Sequence, residues 1–220
     1  MTAPLAVVVG ASRGIGAACA DALAAAGFGV ARVARSAGDY RCDVTDAAAW
    51  EAAARRLLDE RGVPEVVVHS AGAFLLKPLE ETSVAEFTRQ LELNLVAAFR
   101  VLRSFVPPMR AAGRGSLVLV GSVADHTGYP GNAAYAAGKF GLRGLHEVLV
   151  AELRGSGVRA TLVSPGPTDT GLWDPVDPDT RPGFTPRRRM LRPGDVADAV
   201  VFAATRPPHV HLDQLRLAPV

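Results

Sequence analysis

The sequence predicts an α/β fold: a Rossmann-like, doubly wound, mainly parallel seven-stranded sheet with helices on both faces, in a single domain over residues 1–220. Three observations carry that expectation. Short apolar runs alternate with longer helix-like stretches along the whole chain. Those runs are nearly continuous in apolar residues, as strands covered on both faces must be. Glycine-rich and polar motifs fall at their carboxyl ends, where ligands bind in open parallel sheets.

Taken in order, Leu5–Val9 reads as a first buried strand ending at Gly10, and Ile15–Ala26 as an alanine-rich helix closed by Gly27. Gly29–Ala34 is a second strand and a short piece through Arg41–Val44 a third. Asp46–Arg61 follows as a helix capped by Thr45 or Asp46. Val66–His69 is a fourth strand, bounded by Ser70-Ala71-Gly72. A long helical stretch over Val84–Ala112 is expected to break near Pro107-Pro108. Leu117–Val120, the helix Tyr135–Arg154, and Val158–Val163 come next. A Pro-, Arg- and Asp-rich loop then covers Pro167 to Pro193, before a short helix Asp195–Ala204 and a last strand Gln214–Leu217.

Composition narrows the function classes. A formal charge of +2 is too small for a nucleic-acid footprint, and the Arg187–Arg189 cluster reads as a solvated loop. No apolar run is long enough to span a bilayer, and the start of the chain shows no basic leader, so a cytoplasmic location is expected. Cys19 and Cys42 form neither a disulfide framework nor a metal-ligand spacing, and no metal site is expected.

Gly10-Ala11-Ser12-Arg13-Gly14-Ile15-Gly16 joins the first strand to the first helix. Such a turn lets main chain approach a pyrophosphate and aims a helix N-terminus at it. An acid at the end of the second strand would hold the ribose hydroxyls of NAD. This chain has Arg35 there and Arg13 in the turn, which suits the 2′-phosphate of NADP(H), with Asp39 as the group that could instead serve NAD.

Only two of the 24 basic residues are lysines, and one, Lys139, stands four positions after Tyr135. On a helix the two share one face. An ammonium beside a phenol favours phenolate and makes a proton-transfer device, bringing the phenol down from its ordinary value of about 10.

Gly10-x-x-x-Gly14-x-Gly16, Ser122 thirteen positions before Tyr135, and Tyr135-x-x-x-Lys139 together resemble the short-chain dehydrogenase/reductase family, over nearly the whole chain. Asp43, beside Val44, resembles the family's acid near the adenine ring. Asn94 matches its helix asparagine, and Pro165-Gly166 with Thr168 and Thr170 the segment bordering the nicotinamide. The resemblance implies an NADP(H)-dependent carbonyl reductase or alcohol dehydrogenase. In it Tyr135 exchanges the proton, Ser122 orients the substrate oxygen, and Lys139 also binds the nicotinamide ribose. Asn94 holds a relay water, and Gly10, Ser12 to Gly16, Arg35 and Ser70-Ala71-Gly72 complete the coenzyme contacts. It also implies dimers or tetramers joined through the two long helices. The substrate lid is expected around residues 167–193, with Trp173 against substrate, Phe184 and Leu191 as apolar cover, and Arg181 and Arg187–Arg189 as anion contacts or solubilising charge. His126, Tyr129, Phe74 and Leu75 are further candidates for the pocket.

The chain departs from the family pattern in places. His69-Ser70 stands where the family has Asn-Asn, and His69 is expected to be a core histidine with its ring satisfied. The connection from Arg35 to Asp43 is too short for a second crossover helix, so that edge of the sheet should be trimmed. Val9 replaces a polar residue before the glycine turn, and the Pro207–Leu212 tail resembles a subgroup acting on hydroxy acids and related alcohols. Three rivals stay open. One is a Ser-His-Asp hydrolase using Ser122 with His126 or His146, although no Gly-x-Ser-x-Gly surrounds that serine. A non-catalytic NADP-binding sensor or regulatory protein would keep the fold with a decayed catalytic set. A sugar-nucleotide epimerase or dehydratase would need a longer chain.

Overall fold

The computed structural model of the protein describes residues 3–220; the leader-free start read from Met1 and Thr2 lies outside the described residues. Seven strands form one sheet: β1 (Leu5–Val9), β2 (Gly29–Ala34), β3 (Tyr40–Arg41), β4 (Val66–His69), β5 (Gly115–Val120), β6 (Val158–Pro165) and β7 (Gln214–Leu217). Their order is β3-β2-β1-β4-β5-β6-β7, and every neighbouring pair is parallel. The helices are α1 (Gly14–Ala25), α2 (Ala47–Arg61), α3 (Val84–Leu91), α4 (Ala97–Ala112), α5 (Ala133–Glu152) and α6 (Pro193–Ala204).

The continuous apolar strands serve two cores at once, because successive side chains point to opposite faces. Val7, Val9, Leu117 and Leu119 pack with Trp50, Val101, Phe105 and Leu142 of α2, α4 and α5. Ala6, Val8, Val118 and Val120 pack with Cys19, Leu23, Val196 and Val200 of α1 and α6.

Two readings differ in kind from expectation, while other element ends, as in α1, α5, β5 and β6, move by one or two residues. The third strand is only Tyr40–Arg41, not Arg41–Val44. Beyond it Asp43 takes the Thr45 amide and hydroxyl onto Oδ1 (3.0 and 2.7 Å), which turns the chain into α2. The long helical stretch also does not break at Pro107-Pro108, which lie inside α4. Each interior proline costs about 3 kcal/mol. The buried Phe105 and Met109 flank the pair, and each contributes on the order of 1.5–3 kcal/mol; of the two residues whose carbonyls lose their partners, Arg103 is exposed and Ser104 half-buried. The interruption is instead a π-helical turn over Glu92–Val96 between α3 and α4. Arg35 to Tyr40 is a bare connection, so the β3 edge is trimmed as expected.

Successive strands are added outward in one direction from β1 and in the opposite direction from β4, and the switch point between these two adjacent parallel strands opens the crevice. The turns after the two strands touch there. A Cβ on Gly10, whose φ is +90°, would lie 2.6 Å from the Ala71 amide nitrogen, and one on Gly16 would lie 2.2 Å from the Gly10 carbonyl oxygen.

Candidate active site

A cavity of about 810 Å³ runs along the carboxyl ends of the strands, within the range of ligand pockets. One end is formed by Gly10, Ser12 to Gly16, Ala34, Arg35, Val44 and Ser70-Ala71-Gly72. Helix α1 points its N-terminus into this end with no side-chain cap and no acid in its first turn, so its free amides and dipole favour an anion there. Among the described residues lining the cavity there is no Asp or Glu, and the cations are Arg13, Arg35 and Lys139. Asp39 is spent on the Arg32 amide (2.8 Å). This donor set fits a phosphorylated dinucleotide: amides for the pyrophosphate and guanidinium groups for a further phosphate.

The middle of the cavity carries the reactive side chains. Ser122 follows β5 and caps a short 3-10 turn, Val123–Asp125, its hydroxyl accepting from the Ala124 amide (3.2 Å). Tyr135 and Lys139 lie one turn apart on α5, with Nζ 5.7 Å from the phenol ring centroid and donating to the Val120 carbonyl (3.0 Å). Asn94 sits in the π-helical turn. Its amide donates to the carbonyl of Ala73 (2.9 Å) and to the main and side chains of Gln90 (both 3.0 Å), and its oxygen accepts from the Ala73 amide (3.3 Å).

A family model described as short chain dehydrogenase matches residues 4–181. This chain belongs to the short-chain dehydrogenase family. It is 36% identical to a D-threitol dehydrogenase of Mycolicibacterium smegmatis, over 91% of this chain and 85% of that one. A metagenomic short-chain oxidoreductase solved in complex with NADP superposes with a TM-score of 0.83 at 32% identity, covering 99% of this chain and 97% of that one. An alcohol dehydrogenase from the archaeon Thermococcus sibiricus, complexed with 5-hydroxy-NADP, gives a TM-score of 0.86 at 30% identity, covering 97% and 95%.

In this short-chain dehydrogenase, the residues singled out from sequence for coenzyme and catalysis line the cavity except Asp43, as does Trp173, whereas Leu191, Arg181 and Arg187–Arg189 of the substrate segment do not. The Asp43 carboxylate faces Thr45 and, at 3.9 Å, Arg35. Partial burial raises the Asp43 pKa, but those hydrogen bonds and the Arg35 charge outweigh it and hold the group below the usual carboxylate range. Phe74 and Tyr129 line the cavity, whereas Leu75 and His126 do not. The hydrolase reading fails on geometry: His126 turns its two nitrogens to Asp125 and to Gln214 (3.2 Å), and His146 meets the Ala160 carbonyl (3.2 Å), so neither activates Ser122.

The expected acidity of the phenol is not present in the protein alone. Enclosure pushes Tyr135 up to about 12, the Ser122 hydroxyl pulls against this, and the Asp125 carboxylate adds to it. Burial pushes Lys139 down to about 8, with Asp125 opposing. Lysine therefore spends its charge against desolvation and on the Val120 carbonyl. His69 also departs from expectation: it is buried, neither ring nitrogen has a hydrogen-bond partner, and the Ala71 main chain approaches it without hydrogen-bond geometry.

The segment over 167–193 is closed at its neck. Thr168 pairs with Leu191, and the Leu191 and Asp169 amides donate to the carbonyls of Pro167 (2.9 Å) and Leu191 (2.8 Å). Arg187 is neither a free anion contact nor idle surface charge. It clasps Asp169 (2.7 Å), Asp174 (2.6 Å) and the Thr170 carbonyl (3.2 Å). Trp173 donates to the Thr168 carbonyl (3.1 Å), and its ring bridges Phe74 (centroids 5.1 Å) and Phe184 (6.3 Å); Phe74 in turn stands edge-on to Tyr135 (5.0 Å).

Sequence reasoning missed the glycines that let α5 reach Asn94. A Cβ on Gly138 would lie 2.9 Å from that of Asn94, and one on Gly141 2.7 Å from the Leu95 side chain. Their signal was two glycines in a helix interior, each costing about 1 kcal/mol against alanine. Gly138→Val is expected to destabilise the fold by about 1–3 kcal/mol through overpacking, as a urea midpoint shift at unchanged slope. An unshifted midpoint would show that this contact bears no weight.

Proposed function

We propose that this short-chain dehydrogenase interconverts a ketone or aldehyde and its alcohol, using NADP(H). The reading is carried by one arrangement: Ser122, Tyr135 and Lys139 share a wall of the cavity whose other end offers an uncapped helix N-terminus and two arginines. A reduced nicotinamide held along these walls would supply the hydride for the carbonyl carbon. Tyr135 gives its phenolic proton to the carbonyl oxygen, which Ser122 holds by hydrogen bond as charge develops there. Lys139, anchored on Val120, keeps two further protons for the coenzyme ribose and supplies the positive field that opposes the high phenol pKa. The Asn94 side chain is occupied by Ala73 and Gln90, so a relay water would use its main chain. Val44, Pro165, Gly166, Thr168 and Thr170 complete the coenzyme walls in this reading.

The lid end supports an uncharged substrate with an apolar or aromatic substituent. Phe74, Tyr129, Trp173 and Phe184 line it. Asn132 is a polar residue in the same wall. Self-association through α4 and α5 belongs to the same reading, supported by the exposed Phe99, Phe140 and Val148.

Aryl and alkyl ketones should be reduced faster than polyols and hydroxy acids are oxidised, followed by NADPH and NADH absorbance. No coenzyme turnover with any of these would end the reading. Arg35→Asp is expected to cut the preference for NADPH over NADH by at least about tenfold, the equivalent of roughly 1.4 kcal/mol. An unchanged ratio would remove Arg35 from the phosphate site.

A further inference from the structure

One carboxylate sits wholly inside the protein against the reactive wall. Asp125 closes the short turn that Ser122 opens, and it has no solvent exposure. Its Oδ2 accepts from the Ser122 amide (3.0 Å) and from the Ser164 hydroxyl on β6 (2.7 Å), and its Oδ1 meets His126 Nδ1. His126 Nε2 then reaches Gln214 on β7 (3.2 Å). The serine is thus tied through one side chain to two neighbouring strands. Closing the turn needs only an acceptor for the Ser122 amide, which an asparagine would supply without the desolvation cost of a buried charge.

That charge has a target. Across from it on α5 stand Tyr135 and Lys139; from β6 it faces neutral Ser164, from β7 neutral Gln214, and beside it His126. A negative charge there keeps a proton on the phenol and keeps the ammonium charged against its burial, which are the two states a reductase needs before reaction.

We infer that Asp125, braced by Ser164 and the His126–Gln214 pair, is a positioning residue that fixes the Ser122 main chain and sets the field in which Tyr135 releases its proton. The inference rests on the roles given to Ser122 and Tyr135 under Proposed function. Consistent with it, the carboxylate raises the pKa of both Tyr135 and Lys139.

Asp125→Asn keeps size and an acceptor while removing the charge. Alcohol oxidation requires the phenolate, so its rate rises with pH; in the variant that rise should move to lower pH by about one unit. The kcat should fall about tenfold with KM within about twofold, since Ser122 acts on the developing charge. Phenolate absorbance gives a readout without turnover, taken as the difference from Tyr135→Phe in the presence of NADP+, and it should move the same way. Ser164→Ala keeps the carboxylate but strips one donor, so its titration should move upward; it decides the matter if Asp125→Asn does not fold. Curves that overlay the wild type, with activity lost only in step with stability, would overturn the inference. A wild type that turns over no carbonyl or alcohol would instead sink the oxidoreductase reading, and the absorbance titrations would still decide the role of Asp125.

Discussion

Tyr135→Phe is expected to lower kcat for carbonyl reduction by a factor on the order of 10²–10⁴, the usual worth of a positioned general acid, while leaving NADPH affinity nearly unchanged. The substitution deletes one oxygen. The ring, which stands edge-on to Phe74 at 5.0 Å between centroids, keeps its packing, and Lys139 keeps its bond to Val120. Loss of the hydroxyl also removes a group whose proton is held firmly, since burial pushes the phenol up to about 12. In the reducing direction the wild-type rate should therefore stay flat through neutral pH and fall only in alkali, whereas oxidation should gain with each rise in pH. Single-turnover NADPH oxidation, with coenzyme fluorescence as the binding control, separates the two quantities. A variant that retained more than about a tenth of the wild-type rate would place the proton on another group, because general acid catalysis is worth more than that.

The second large effect concerns stability. His69 is buried with no hydrogen-bond partner among the described residues, and desolvation, with help from the nearby Lys139 charge, pushes its pKa down to about 3. The unfolded chain binds a proton near pH 6.5 and the native state refuses it until about 3, so stability is full above that range and drains away as pH falls through it. The slope is about 1.4 kcal/mol per pH unit. Buried His146, also held below its ordinary value by desolvation, adds a contribution of the same sign. Glu86, depressed to about 2 by Lys77 and Ser83, acts only in stronger acid, below the ordinary carboxylate range. Between pH 7.5 and 5 the wild type should thus lose several degrees of Tm, at roughly 2–4 °C per kcal/mol for a chain of this size, and His69→Asn should remove about half of that loss. Equal slopes in the two proteins would show that the ring is not what resists protonation.

The architecture was largely legible because the central strands are covered on both faces, and such strands announce themselves as unbroken runs like Val66–His69 and Leu5–Val9. Helix punctuation was less readable. Two prolines look like a break, yet the packing of Phe105 and Met109 carries α4 through them, and the actual π-helical interruption around Asn94 has no compositional signature. Within the candidate site, main-chain motifs and side chains at fixed spacing from a strand end come together along one cavity. What stayed hidden depends on partners distant in sequence. Asp43 resembles an adenine-side acid but is drawn to Thr45, and Arg187 resembles a spare cation until Asp169 and Asp174 close on it. Asp125 needed Ser164 and Gln214 from two other strands before its part could be seen, although the Ser-x-x-Asp spacing from Ser122 is itself a capping pattern.

The pairing of Thr168 with Leu191 brings the two ends of the intervening segment together, and Trp173 ties it to Phe74. Past Trp173 the sequence can lengthen, shorten or change character without disturbing the sheet, since the paired ends and that one ring are what register with the scaffold. Under the function proposed above, exchanging that cassette would retune what the protein accepts while the Trp173–Phe74–Tyr135 ring chain stays in place.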